Sequence, residues 1–115
     1  MKVLAINGSP HETGCTYTAL NIMKEELENQ GISTQIFHIG QDAIRGCTGC
    51  RTCAKIKKCV YDDDTVNKAL ALLPEIDGLI IASPVHYSSV AGNMKSFLDR
   101  LFYAGGSTIL QYKAG

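Results

Sequence analysis

The sequence has no excess of charge of either sign: Lys and Arg total 11, Asp and Glu total 11, and the formal net charge is zero. A chain without a global positive field is a poor match for the phosphate backbone of nucleic acid, so no nucleic-acid partner is expected. Long apolar runs are also missing. The longest, "GLIIASPV", falls well short of the roughly 20 residues a helix needs to cross a bilayer, so no membrane partner is expected either. The opening "MKVLAINGSP" turns polar at Asn7, before an apolar leader of secretory length could form. These absences together predict a cytoplasmic protein, whose thiols stay reduced. There are no internal repeats and no low-complexity segments. The cysteine count is odd, at 5, which fits a disulfide framework poorly. A length of 115 residues suits one domain.

What is there is an alternation of short apolar runs and helical patterns. "KVLAIN" reads as a buried strand. From Thr16 the spacing of Leu20, Met23 and Leu27 predicts one helix face, closed by Gly31. "STQIFHI", Ser33 to Ile39, reads as a second strand. "DDDTVNKALALL" starts with capping aspartates and sets Val66, Leu70 and Leu73 on one side. "GLIIAS", Gly78 to Ser83, is a third strand, and Met94, Phe97, Leu98 and Leu101 mark a last helix by i, i+3, i+4, i+7 spacing. Strand–helix alternation of this kind predicts a parallel sheet with helices on both faces. Three strands are few for such a sheet, and "GGSTILQYKAG" stops where a fourth should start.

Ligands of open parallel sheets lie beyond the carboxyl ends of the strands, and two loops stand there. Gly8 to Thr16 joins a strand to a helix start. Its glycines permit close backbone approach, and Ser9, Thr13 and Thr16 offer hydroxyls beside free helix amides. That is the chemistry of a phosphate cradle, and equally that of a capped connector. The second loop, Ser83 to Ser89, carries His86 and Tyr87, rings that could flank a flat heterocycle or simply lead into the next helix.

The remaining signal is "CTGCRTCAKIKKC", with Cys47, Cys50, Cys53 and Cys59 at spacings of two, two and five. The compact triad is similar to the bacterial ferredoxin run, in which close thiolates grip one iron–sulfur cube. Zinc accepts four thiolates too, but its paired knuckles are usually further apart. Idle thiols remain open as an alternative. Arg45, Arg51, Lys55, Lys57 and Lys58 would offset thiolate charge or form a solvated basic loop. The stretch 40–62 is long for a structureless connector, which favours a functional loop.

Taken jointly, "GSP…GCT", "SPVHYSSVAGNMKSFLDR" and "CTGCRTCAKIKKC…DDD" resemble the flavodoxin-like NAD(P)H-dependent FMN reductase family, and within it the iron–sulfur flavoprotein branch. The resemblance implies a flavodoxin-like α/β sandwich over residues 1–115, C-terminally incomplete, since family members carry two more strands. It implies FMN as cofactor. Ser9, His11, Thr13, Cys15 and Thr16 would surround the FMN phosphate, and Pro84, Val85, His86 and Tyr87 would line the ring. His11 stands where the family usually has Arg, Cys15 where it has Asn, and His86 where Tyr is commoner. It implies a 4Fe–4S cluster on Cys47, Cys50, Cys53 and Cys59, with NAD(P)H as the candidate donor. Two other functions fit the same residues: a cluster-free FMN reductase, or a non-catalytic electron carrier for a protein partner; the acceptor is a redox protein or a small molecule. Phe97, Leu101, Phe102 and Tyr103 would leave an uncovered apolar surface. A homodimer or homotetramer is therefore expected, with the cysteine loop projecting from its own sheet toward the Pro84–Tyr87 loop of another chain.

Overall fold

The computed structural model describes residues 1–105, 109, 110 and 113–115. The elements follow as β1 (Lys2–Asn7), α1 (Cys15–Asn29), β2 (Ser33–His38), α2 (Cys53–Ile56), α3 (Val66–Leu72), β3 (Gly78–Ala82), β4 (Val85–His86), β5 (Ser89–Val90) and α4 (Gly92–Gly105). The three long strands form a parallel sheet in the order β2-β1-β3. Val3 stands opposite Thr34 on one side and Gly78 on the other. This central β1 and its alternating neighbours give the flavodoxin-like α/β arrangement, with the strand order reversing at β1.

The helices start and stop where the chain chemistry says they should. At the end of α1, the Gly31 amide donates to Glu28 O at 3.0 Å and the Ile32 amide to Leu27 O at 2.9 Å. Gly31 takes φ +81°. That is a Schellman cap, which needs a residue tolerant of left-handed backbone. The Asp64 carboxylate accepts the Val66 amide at 3.2 Å, and the Thr65 hydroxyl donates to Ile39 O at 3.0 Å. The acidic run thus ties the start of α3 to the end of β2.

Leu4 and Ile6 point from β1 into the main core with Val66, Leu70, Leu73, Met94, Phe97 and Leu101. Ala5, on the other face by alternation, is buried on the side that α1 covers, with Leu20. One sequence expectation fails here. Phe97 and Leu101 are fully buried rather than part of an uncovered surface. They lie on the stripe of α4 that faces the sheet and α3, and only Phe102 and Tyr103 remain exposed. Met23 does not share the burial of Leu20: it is exposed, and it lines an open trough with Leu79, Ile81, Phe102, Leu110 and Ala114 beside β3.

Among the described residues, a single isolated bridge lies at that edge. Ala114 bridges Gly78 in parallel fashion, its amide bonding Asp77 O at 3.0 Å and its carbonyl accepting the Leu79 amide at 2.9 Å. Most of the segment between α4 and Ala114 lies outside the described residues. β4 and β5 are a finding of the structure. The loop after β3 is a small antiparallel hairpin, with Val85 opposite Val90 and His86 opposite Ser89.

Candidate functional site

The first loop is built on Asn7, the last residue of β1, which is fully buried. Its Oδ1 accepts the Ser9 amide at 3.0 Å and its Nδ2 donates to Glu12 O at 3.2 Å. Ser9 is buried, and its hydroxyl accepts the His11 amide at 3.1 Å. The Ser9 carbonyl accepts Nε2–H of His38 at 2.7 Å. Ser9 therefore shapes the loop from within. His11, Thr13 and Cys15 are exposed along its outer side and Thr16 is half-buried. Gly14 caps α1 without a side-chain bond. Among the described residues, the first-turn amides of Cys15, Thr16 and Tyr17 meet no protein acceptor, which leaves them to an anion or to solvent.

Gly8 is required by packing. A Cβ there would stand 2.5 Å from Met94 Sδ and 3.0 Å from Ala82 O, and Met94 is itself fully buried. Gly8→Ala is expected to cost about 1–3 kcal/mol, as an overpacked site does. Urea unfolding would measure it, and adding Met94→Val should restore part of the loss. An unchanged midpoint for the single variant would show that Met94 yields freely.

The second loop meets the first. Gly8 and Pro10 share a cleft with Gly40, His86, Ala91, Gly92 and Asn93, at the carboxyl ends of all three long strands. Ser83 fixes the entry: its hydroxyl accepts the Ala91 amide at 3.0 Å. The hairpin turn is Tyr87–Ser88, with φ of 50° and 68°. Both central residues are left-handed, the pattern of a type I′ turn. Tyr87 and Val85 are exposed, and Pro84 is half-buried. Of the expected ring contacts, the structure thus brings His86 to the cleft and places Val85 and Tyr87 outward on the hairpin.

The cysteine segment lies against its own α4. Ile44 is buried in the core, its amide donating to Asn93 Oδ1 at 3.4 Å, while Asn93 Nδ2 donates to Asp42 O at 3.1 Å. Cys47, Cys50, Cys53 and Cys59 all line one small cavity, walled by Tyr61, Arg100, Tyr103 and Ala104. No disulfide joins them. Among the described residues, no three His, Cys, Asp or Glu side chains stand close enough to hold a single metal ion. A cubane spreads its ligand sulfurs over its corners, wider than a lone ion does, and four thiols around one cavity suit it in kind. The electrostatics agree. The hydroxyl and amide of Thr52 hydrogen-bond the Cys50 thiolate and lower its pKa from the ordinary thiol value. Arg100 Nε donates to Cys59 Sγ at 3.3 Å.

Sequence reasoning missed Arg100, Asn67 and Asn93. Asn67 holds both sides of the Cys59 backbone, accepting its amide and donating to its carbonyl, each at 2.8 Å. Arg100 had a readable signal. It falls three residues after Phe97 and four before Ala104, on the buried stripe of α4, where an unpaired cation does not belong.

A parallel sheet with a loop cradle, a cleft at its switch point and a thiol cavity along the same last helix marks the flavodoxin-like α/β class. The chain belongs to the NADPH-dependent FMN reductase family, which it matches over residues 1–115. It is similar to an iron-sulfur flavoprotein of Archaeoglobus fulgidus, 39% identical over 115 residues, 100% of this chain and 52% of that protein. An iron-sulfur flavoprotein of Methanocaldococcus jannaschii is 33% identical over 100 residues, 87% of this chain and 51% of the relative. An FMN reductase (NADPH) of Pseudomonas putida is 26% identical over 101 residues, 88% of this chain and 47% of the relative. The chain spans about half the length of the curated relatives it matches. No helix among the described residues is long and apolar enough to cross a membrane.

Proposed function

We propose that residues 1–115 form the cofactor-bearing domain of an FMN-dependent oxidoreductase that passes electrons between FMN and a 4Fe–4S cluster, with NAD(P)H as donor and a redox protein or small molecule as acceptor. The observation that carries this reading is the gathering of four cysteines around one cavity, on the same helix whose first residues wall the loop cleft. FMN, when bound, exchanges one or two electrons and a cluster exchanges one, so the pair can match a two-electron donor to a one-electron acceptor. The chain supplies binding and orientation. The free amides of α1 and the Thr16 hydroxyl would hold the phosphate, Gly8 and Pro10 let it approach, and His86 borders the ring. Cys47, Cys50, Cys53 and Cys59 would ligate the cluster. Asn93 and Arg100 both grip the cysteine segment from α4, and seven residues of helix separate them by about 10 Å along the axis. This short span of helix supports electron exchange between the two sites.

Visible absorption of anaerobically purified protein, with iron and sulfide analysis, tests the reading. Flavin bands with a broad shoulder that bleaches on dithionite are expected. Flavin bands alone, without iron, would favour a cluster-free FMN reductase, and no flavin reduction by NAD(P)H would favour a carrier. Thr16→Val should weaken FMN binding by about 1–2 kcal/mol, the value of a lost hydrogen bond to a charged group. An unaltered titration would remove the first loop from the site.

The exposed Val85, Tyr87, Phe102 and Tyr103 support a homodimer or homotetramer, in which the cysteine segment of one chain approaches the Pro84–Tyr87 hairpin of another. Light scattering at micromolar concentration should report more than one chain per particle. A monomer carrying both cofactors would count against this arrangement.

A further inference from the structure

Arg100 is 1% exposed, and every nitrogen of its guanidinium has a partner. Nε donates to Cys59 Sγ at 3.3 Å. Nη1 donates to Arg45 O at 3.1 Å and to Asp64 Oδ2. Nη2 donates to Tyr61 O at 2.6 Å. Arg45 precedes the first cysteine, and Cys59 and Tyr61 close the segment. One planar fork on α4 thus ties together the two ends of a loop that carries all four thiols. The Arg45 side chain reinforces the tie from outside, its guanidinium 4.2 Å from the centre of the Tyr61 ring. Asp64 balances the Arg100 charge, so what Arg100 gives the cavity is a directed N–H rather than a free cation.

We propose that Arg100 is the positioning residue of the four-cysteine site: it cinches the segment so that Cys47 and Cys59 face one cavity, and it gives Cys59 alone a fixed guanidinium hydrogen bond to its sulfur. The inference rests on the reading that the four thiols hold a cluster. Hydrogen bonds to cluster sulfurs raise the reduction potential, and a ligand held in place dissociates slowly. The Cys59 corner is then the anchored one, by its guanidinium bond and its Asn67-held backbone, and the exposed Cys47 and Cys50 are the labile side. Lysine cannot reproduce the fork: one ammonium does not reach four acceptors in a plane.

The test uses the full chain, reconstituted anaerobically with ferrous iron and sulfide, as wild type, Arg100→Lys, Arg100→Gln and Asn67→Ala. Asn67 grips the Cys59 backbone without touching its sulfur, so its loss loosens the segment and keeps the sulfur bond. Both Arg100 variants should show a midpoint potential more negative than wild type and lose iron to a chelator at least tenfold faster. Asn67→Ala should keep the wild-type potential. A wild-type potential and wild-type iron retention in Arg100→Lys would overturn the proposal. So would an equal shift in Asn67→Ala, which would mean that loosening alone explains the effect. If wild type takes up no iron and sulfide, the cluster reading fails while Arg100 is still tested. In the cluster-free protein, alkylation of Cys59 by a maleimide, located by mass spectrometry, should be at least tenfold faster in Arg100→Lys than in wild type, and Cys15 should react equally in both. Equal rates at Cys59 would overturn the positioning role.

Discussion

Phe97→Ala is expected to remove about 3–5 kcal/mol of folding stability, the cost of a large aromatic cut from a core that relaxes only partly. Phe97 has no exposed surface, and its ring lies 6.1 Å from that of Phe37, centre to centre. It links β2, β1 and α4 in one cluster. Phe102, five residues on, is 40% exposed. Its replacement by alanine should cost less than about 1 kcal/mol in the isolated chain, as for an exposed position. Denaturant unfolding at low protein concentration separates the two. A small loss at Phe97 with a change of particle size would return that residue to an intermolecular surface.

The second large effect concerns the Arg100–Asp64 pair, whose side chains are 1% and 5% exposed. Breaking such a pair from one side leaves a charge buried without its partner, at a cost of about 3–5 kcal/mol. Arg100→Met should show this loss and so should Asp64→Leu. The double variant should be clearly more stable than the sum of the two predicts, because no buried charge remains. It should not recover fully, since the Arg45 and Tyr61 carbonyls still lose their donor. Burial would lower the pKa of Arg100, but its hydrogen bonds to Asp64 and Cys59 and their charges outweigh it and raise the pKa, so the guanidinium stays charged at any pH that the fold survives. Strict additivity in a double-mutant cycle would mean that the two groups are not coupled.

β1 and β3 were legible because each is a continuous apolar run between turn residues, the mark of a strand buried on both faces; β2, "STQIFH", is polar at its start and showed itself by Ile36 and Phe37. The helices were legible from period and caps, Gly31 above all. The hairpin was not, because Tyr87–Ser88 lacks the Asn–Gly or Asp–Gly signature of its turn. The exposure of Met23 was hidden for another reason: amphipathic spacing shows which side chains share a face, not whether a neighbour covers that face. The cysteines announced themselves by spacing, and their gathering around one cavity agrees with it. What holds them there is polar, and most of it is distant in sequence. Asn93 and Arg100 reach backbone carbonyls of the cysteine segment 39 to 55 positions away, which no local pattern encodes, and Asn67 grips the Cys59 backbone eight positions before it. Only the presence of an arginine on an apolar stripe could have pointed to one of them.

The turn at Tyr87 and Ser88 carries a consequence for how this sequence tolerates change. Each of the two residues holds a left-handed conformation that costs a side-chain-bearing residue about 1–2 kcal/mol. A sequence shaped for stability alone would place Asn and Gly there and lose nothing in the core, because neither side chain is buried. Repair is therefore open to a single step at either position, and the native chain has not taken it. The tip of the hairpin is therefore a place of local backbone strain, with an aromatic ring and a hydroxyl turned to solvent. In a search for hardier variants this turn would be among the first positions to improve.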